Sequence, residues 1–204
     1  MMMKLFFSVK SPYARRVRLA VRETGLMDRV EEIGVETVED LQRIGAEKLG
    51  PGCKVPALIC DDGTPLSETL VITRFLNDLA GGHLLPKQPD ELIKTLELES
   101  IASVLNDSLY VRCGERYRRD PALKSDALVA FEENRSNRCY DRLNELLADA
   151  DDTVTLATIA IIAALDYANC RQSEDQWREG RDVLGAYFDR MMKRPAFAET
   201  GLIF

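Results

Sequence analysis

Along the first eighty residues, short apolar runs alternate with longer runs in which apolar positions recur every three to four residues. Lys4–Phe7 reads as a strand, and Val30–Val35 as a second. Between them, Pro12–Glu23 places Ala14, Val17, Ala20 and Val21 on one helical face, with Arg15, Arg16, Arg18 and Arg22 largely elsewhere. Val38–Leu49 reads as a short, charged helix stopped by Gly50-Pro51-Gly52. Ala57–Cys60 and Thr64–Leu66 flank Asp62-Gly63, a hairpin turn. From Ser67 onward Ile72, Phe75, Leu76 and Leu79 repeat at helical spacing. The predicted order is βαβαββα. A helical crossover suits parallel neighbours and the Asp-Gly turn demands an antiparallel pair, so the four-stranded sheet is mixed.

The pattern then changes. Gly81-Gly82-His83 and the prolines 86 and 89 mark a linker. Beyond it only helical periodicity is legible, over Asp90–Tyr117, Leu123–Leu147, Thr155–Cys170 and about Gly180–Lys193, with Asp120-Pro121 breaking the first from the second. The expected fold class is α/β plus all-α: an α/β domain over residues 1–80, a linker at 81–89 and an all-helical domain over 90–204.

Composition narrows what such a protein does. Apolar residues make up 46%, charged residues 30%, and the net charge is −7. An acidic chain offers no general attraction to nucleic acid or anionic membranes. Its five cysteines are scattered without a CxxC pair and its one histidine is His83, so no Cys/His zinc site is expected and reduced thiols in the cytoplasm are. The opening MMMKLFF is too short for a signal-peptide core and reads as strand, and Leu156–Leu165 is about half a membrane span.

Four segments carry a resemblance. Ser11-Pro12-Tyr13 followed by Arg16-Val17-Arg18 resembles the first strand-to-helix turn of glutathione transferases with a serine-type active site. Lys54-Val55-Pro56-Ala57-Leu58 is similar to their VPAL element, and Ser67-Glu68-Thr69 before Leu70–Leu76 to their helix-opening segment. Thr155–Thr158 with Ala160 and Ala164–Tyr167 resembles their core helix. The likeness spans essentially the whole chain and implies a thioredoxin-like N-terminal domain, a helical C-terminal domain and a cytoplasmic homodimer, with Arg74 at the seam. Two positions depart from the pattern. Thr69 stands where the family has Ser, and Thr158 stands where a capping-box Asp is usual, which removes the reciprocal carboxylate bond.

The resemblance implies glutathione as co-substrate, and the residues give each part of that molecule a chemical counterpart. Val55-Pro56, expected cis, presents the Val55 backbone to the cysteinyl residue as a strand edge pairs with a peptide. The helix start at Glu68-Thr69 offers backbone N–H groups and a hydroxyl to the γ-glutamyl carboxylate, and Glu68 accepts from its ammonium. Read alone, Ser67 and Thr69 are competing caps and Glu68 suits the helix dipole. Lys54 is a partner for the glycyl carboxylate or a plain surface lysine. Ser11 is the candidate thiolate stabiliser. A thiol of pKa ~9 is mostly protonated at neutral pH, and lowering it by two units takes about 2.7 kcal/mol, within reach of one charge-assisted hydrogen bond plus a helix N-terminus. Ser8 and Tyr13 are its rivals.

A small hydrophobic or aromatic electrophile is expected between the domains, against Tyr13 and the first long helix of the second half, where Tyr110, Arg112, Cys113, Arg116 and Tyr117 cluster. The alternative for this stretch is a solvated helix face, favoured for Arg118 and Arg119. Conjugation is the first reading of function. A silent binding module and a glutathione-dependent isomerase or dehalogenase are the others.

Overall fold

The computed structural model describes residues 2–204, the side chain of Glu47 apart. Four strands, β1 (Met3–Phe7), β2 (Val30–Gly34), β3 (Ala57–Ile59) and β4 (Pro65–Leu66), form one sheet in the order β2-β1-β3-β4. β1 and β2 are parallel, while β1–β3 and β3–β4 are antiparallel, giving the expected mixed sheet. The hairpin turn closes with Gly63 at φ 88° and the Asp62 carboxylate accepting from Thr64 N at 2.9 Å.

The helices of this part are α1 (Pro12–Glu23), α2 (Val38–Ile44), α3 (Ala46–Leu49) and α4 (Thr69–Leu79). The single helix expected over Val38–Leu49 is two, because Gly45 takes φ 76° and turns the chain between them. Alternation along β1 sends Phe6 to one face, where it packs with Val35, Leu49 and Ala57. Phe7 points to the other, under the Arg18 guanidinium of α1 at 4.3 Å, and α1 and α4 pack together.

The remaining helices are α5 (Pro89–Tyr117), α6 (Asp126–Leu146), α7 (Leu156–Arg171), α8 (Asp182–Met191) and α9 (Pro195–Glu199). α5 packs on both α6 and α7. α7 is buried on every side from Leu156 to Leu165, which explains its lack of amphipathic period. Its capping box is complete despite Thr158: the Thr158 hydroxyl accepts from Thr155 N at 3.2 Å, doing through oxygen what the missing carboxylate does elsewhere. No helix among the described residues is long and apolar enough to cross a membrane.

The chain divides into two units, residues up to Pro86 together with Ala196–Phe204, and Lys87–Pro195. The last segment therefore groups with the sheet, where the periodicity alone assigned it to the helical domain. Arg15, expected off the core face of α1, explains part of this. It is 1% exposed and its Nη2 donates to Phe197 O at 2.9 Å. Arg16 is likewise buried.

Candidate thiol and peptide site

Strand register decides which candidate residues meet. Phe6 lies opposite Ala57, so the C-terminal end of β1 sits beside the N-terminal end of β3. Leu58 lies opposite Leu66, which brings the end of β4 to the same edge. Three segments leave the sheet at that edge: Ser8–Ser11 after β1, Cys53–Pro56 before β3 and Ser67–Thr69 after β4. The Ser11, Val55-Pro56 and Glu68-Thr69 sets, separated by more than forty and then by more than ten positions in the chain, are thus gathered at one end of one sheet.

Ser11 is the N-cap of α1, with extended backbone and its Oγ accepting from Ala14 N at 3.1 Å. That bond uses an oxygen lone pair and leaves the hydroxyl proton free to donate. Ser11 N donates to Ser8 O at 3.1 Å, and Ser8 Oγ accepts from Lys10 N at 3.3 Å, so Ser8 shapes the loop while its hydroxyl proton, like that of Ser11, is left to donate. Ser8, Ser11 and Tyr13 are all half-buried, Tyr13 on the first turn of α1.

The Val55-Pro56 peptide is cis, as the resemblance implies. Before it, Cys53 adopts φ 44° and Lys54 is exposed. Gly50 holds this loop against the start of α4. Its φ is 74°, and a Cβ there would stand 2.8 Å from Ser67 Oγ, so neither the backbone nor the space admits a side chain.

At α4 the cap is Glu68, where the sequence pointed to Ser67 and Thr69. Its Oε2 accepts from Leu70 N at 2.8 Å, while Thr69 is buried and Ser67 exposed. The carboxylate reaches the helix N-terminus because Glu68 itself has extended backbone, and its own placement removes the neighbouring hydroxyls from the capping geometry. Its other oxygen stays available, and the residue is exposed.

On α5 the picture divides. Tyr110 and Tyr117 are exposed, at 41% and 59%, on its C-terminal turns. Arg118 is exposed, as the solvated-face reading expected, and it also lies 4.3 Å over the Tyr110 ring with its Nη2 reaching Cys113 Sγ at 3.6 Å. Arg171 lies over Tyr117 at 5.5 Å. Arg112 is not a substrate cation. It has no exposed surface, and Nη1 and Nη2 form a bidentate pair with Asp175 at 2.5 and 2.6 Å. Helical spacing puts it on the inward side of α5, and its partner Asp175, which follows α7, has no signature in the local sequence.

The mixed four-stranded sheet, with a capped helix after its first strand and a cis-proline loop at the same edge, is of the thioredoxin-like fold class. The comparisons narrow the class. Residues 10–79 match the model of the glutathione S-transferase N-terminal domain. The chain is 28% identical over 203 residues to the uncharacterized GST-like protein YibF of Escherichia coli (strain K12), covering 97% of this chain and 98% of that one. It is similar to the crystal structure of a glutathione S-transferase from Methylobacterium radiotolerans in complex with glutathione sulfonate, at TM-score 0.87 and 26% identity over 100% of this chain and 96% of that one. A glutathione S-transferase from Methylobacillus flagellatus with glutathione bound is similar at TM-score 0.86 and 27% identity, over 98% and 100% of the two chains. Residues 10–79 thus match a glutathione S-transferase N-terminal domain, and the whole chain is similar to glutathione S-transferases and a GST-like protein.

Proposed function

We propose that this protein binds glutathione at the sheet edge described above, ionises its thiol beside Ser11 and transfers the thiolate to a small electrophile. The convergence of the Ser11, Val55-Pro56 and Glu68-Thr69 segments at one edge carries this reading. The glutathione and glutathione sulfonate bound by two similar proteins support it.

In this reading the Val55 backbone pairs with the cysteinyl residue, and Lys54 faces the glycyl carboxylate. The free N–H groups of α4 take the γ-glutamyl carboxylate, and the Glu68 oxygen not used in capping accepts from the ammonium. Ser11 donates its proton's hydrogen bond to sulfur, with the N-terminus of α1 adding its dipole. The thiol proton leaves to solvent. The thiolate then forms a C–S bond as the leaving group departs with the electron pair of the bond broken, or as the electrophile's double bond accepts the pair and later a proton. Ser11 acts as a donor throughout and need not be a base.

Tyr13, on the first turn of α1, is proposed as an aromatic contact for the electrophile. We further infer a homodimer acting in the cytoplasm. The test incubates the chain with glutathione and an activated aryl halide, following thioether formation and loss of free thiol. Thioether at a rate above the uncatalysed one establishes the reading. Glutathione binding without consumption moves the reaction to isomerisation, and absence of binding leaves a silent module.

A further inference from the structure

Two hydrogen bonds from the end of the chain reach this site from either side of Ser11. Arg15, one turn into α1, donates through Nη2 to Phe197 O at 2.9 Å in a fully buried setting. Ile203 N donates to Val9 O at 3.3 Å, two residues before Ser11. The segment between these anchors is itself ordered: Phe197 and Thr200 are 0% and 1% exposed, and Thr200 Oγ1 donates to Ala196 O at 2.8 Å.

Several local bonds shape the serine loop from within. They run from Lys10 N to Ser8 Oγ, from Ser11 N to Ser8 O, and from Ala14 N and Arg15 N to Ser11. They close the loop upon itself and onto the first turn of α1. The bond to Phe197 comes from a residue 182 positions away, and the bond to Ile203 from still further on.

We propose that Ala196–Phe204 is a positioning strap, which fastens α1 through Arg15 and the loop through Val9 and so fixes where the Ser11 hydroxyl points. This rests on the reading of Ser11 as the thiolate donor. A hydroxyl stabilises sulfur only when its proton is held within a few tenths of an ångström of the productive line, and that precision comes from the groups supporting it. Arg15 and Ile203 are positioning residues, acting on Ser11 and not on glutathione.

The test uses the full chain, with Ile203→Pro to remove the N–H donor, a chain ending at Leu202 as an independent way of breaking the same bond, and Ile203→Ala, which keeps it. Two quantities are read: amide hydrogen exchange over residues 8–14, with no glutathione present, and the ultraviolet absorbance of bound glutathione thiolate against pH. Ile203→Pro and the shortened chain should each speed exchange at Ser11 and Ala14 roughly two- to tenfold, the range one hydrogen bond is worth, and lower the thiolate fraction at neutral pH by a similar factor. Ile203→Ala should match wild type in both. Unchanged loop exchange in both bond-breaking variants overturns the proposal. So does an Ile203→Ala that moves as far as Ile203→Pro, because the side chain and not the bond then holds the loop. A wild type that binds glutathione only as the thiol removes the proposed function, while the exchange result still decides whether the strap holds the loop.

Discussion

Ser11 answers to two demands with one placement, and substitution can separate them. As N-cap it satisfies Ala14 N, and its loss to alanine costs about 1 kcal/mol, whereas glycine at a cap costs only a few tenths. As thiolate donor its hydroxyl has no substitute in either variant. Ser11→Gly and Ser11→Ala should therefore differ in unfolding midpoint yet show the same loss of bound thiolate at neutral pH, roughly ten- to hundredfold. A thiolate loss that scales with stability across the two would make Ser11 a cap alone. The residue scale is also where the sequence was most legible. Ser11-Pro12 is a local signature whose backbone geometry follows from its own residue types, whereas the cis form of Val55-Pro56 was legible only through the family resemblance. Glu68 as cap was not legible, because Ser67 and Thr69 are better caps by residue type and only the backbone angles of the folded turn choose among the three.

Among the elements, two charged latches decide what can be altered. Glu32 on β2 accepts from Arg22 at 2.6 Å and Arg18 at 3.1 Å, tying α1 to the sheet just beyond the site. Burial by itself raises the Glu32 pKa, but the hydrogen bond from Arg22 and the charges of Arg18 and Arg22 outweigh it and hold the carboxyl below its ordinary value. Burial, helped by Arg22, draws Arg18 below its usual value against the pull of Glu32, yet an arginine stays charged across the accessible range, so the titration that matters is that of Glu32. A depressed folded pKa gives stability that is present above the unfolded value of about 4.3 and lost as pH falls through the folded one. Urea unfolding across pH 7 to 3 should show wild type losing its advantage over Glu32→Gln as the solution becomes acid. A difference constant with pH would contradict the latch. The second latch is Arg112–Asp175. Asp175→Asn leaves a buried guanidinium without its counter-charge and should cost about 3–5 kcal/mol, measured by denaturant unfolding, while the joint change Arg112→Met with Asp175→Leu should recover most of it. This latch was invisible beforehand because its two halves lie 63 positions apart and only packing brings them together. The elements themselves were readable. Periodicity placed every strand and the long helices to within a few residues, and failed at Gly45, where one backbone angle breaks a continuous pattern.

For the whole molecule, the order of elements specified a mixed sheet followed by a helical unit, and the observed topology agrees. The return of Ala196–Phe204 to the first unit was not legible, since the segment is short, begins with helical turn residues and declares its destination only through Arg15 and Val9. Arg15, which periodicity placed away from the core, is buried for the same reason: a tertiary partner absent from any local window, Phe197 O, accepts its hydrogen bond. The central claim concerns neither unit's fold but the chemistry at the sheet edge, and one calorimetric experiment addresses it. Glutathione is titrated into the protein at neutral pH in two buffers of different ionisation enthalpy, for wild type and for Ser11→Gly. Binding to wild type should release close to one proton per site, seen as a heat that differs between the buffers, and Ser11→Gly should bind with that difference largely gone. Binding heats that are the same in both buffers for wild type, or no binding heat at all, would contradict the account.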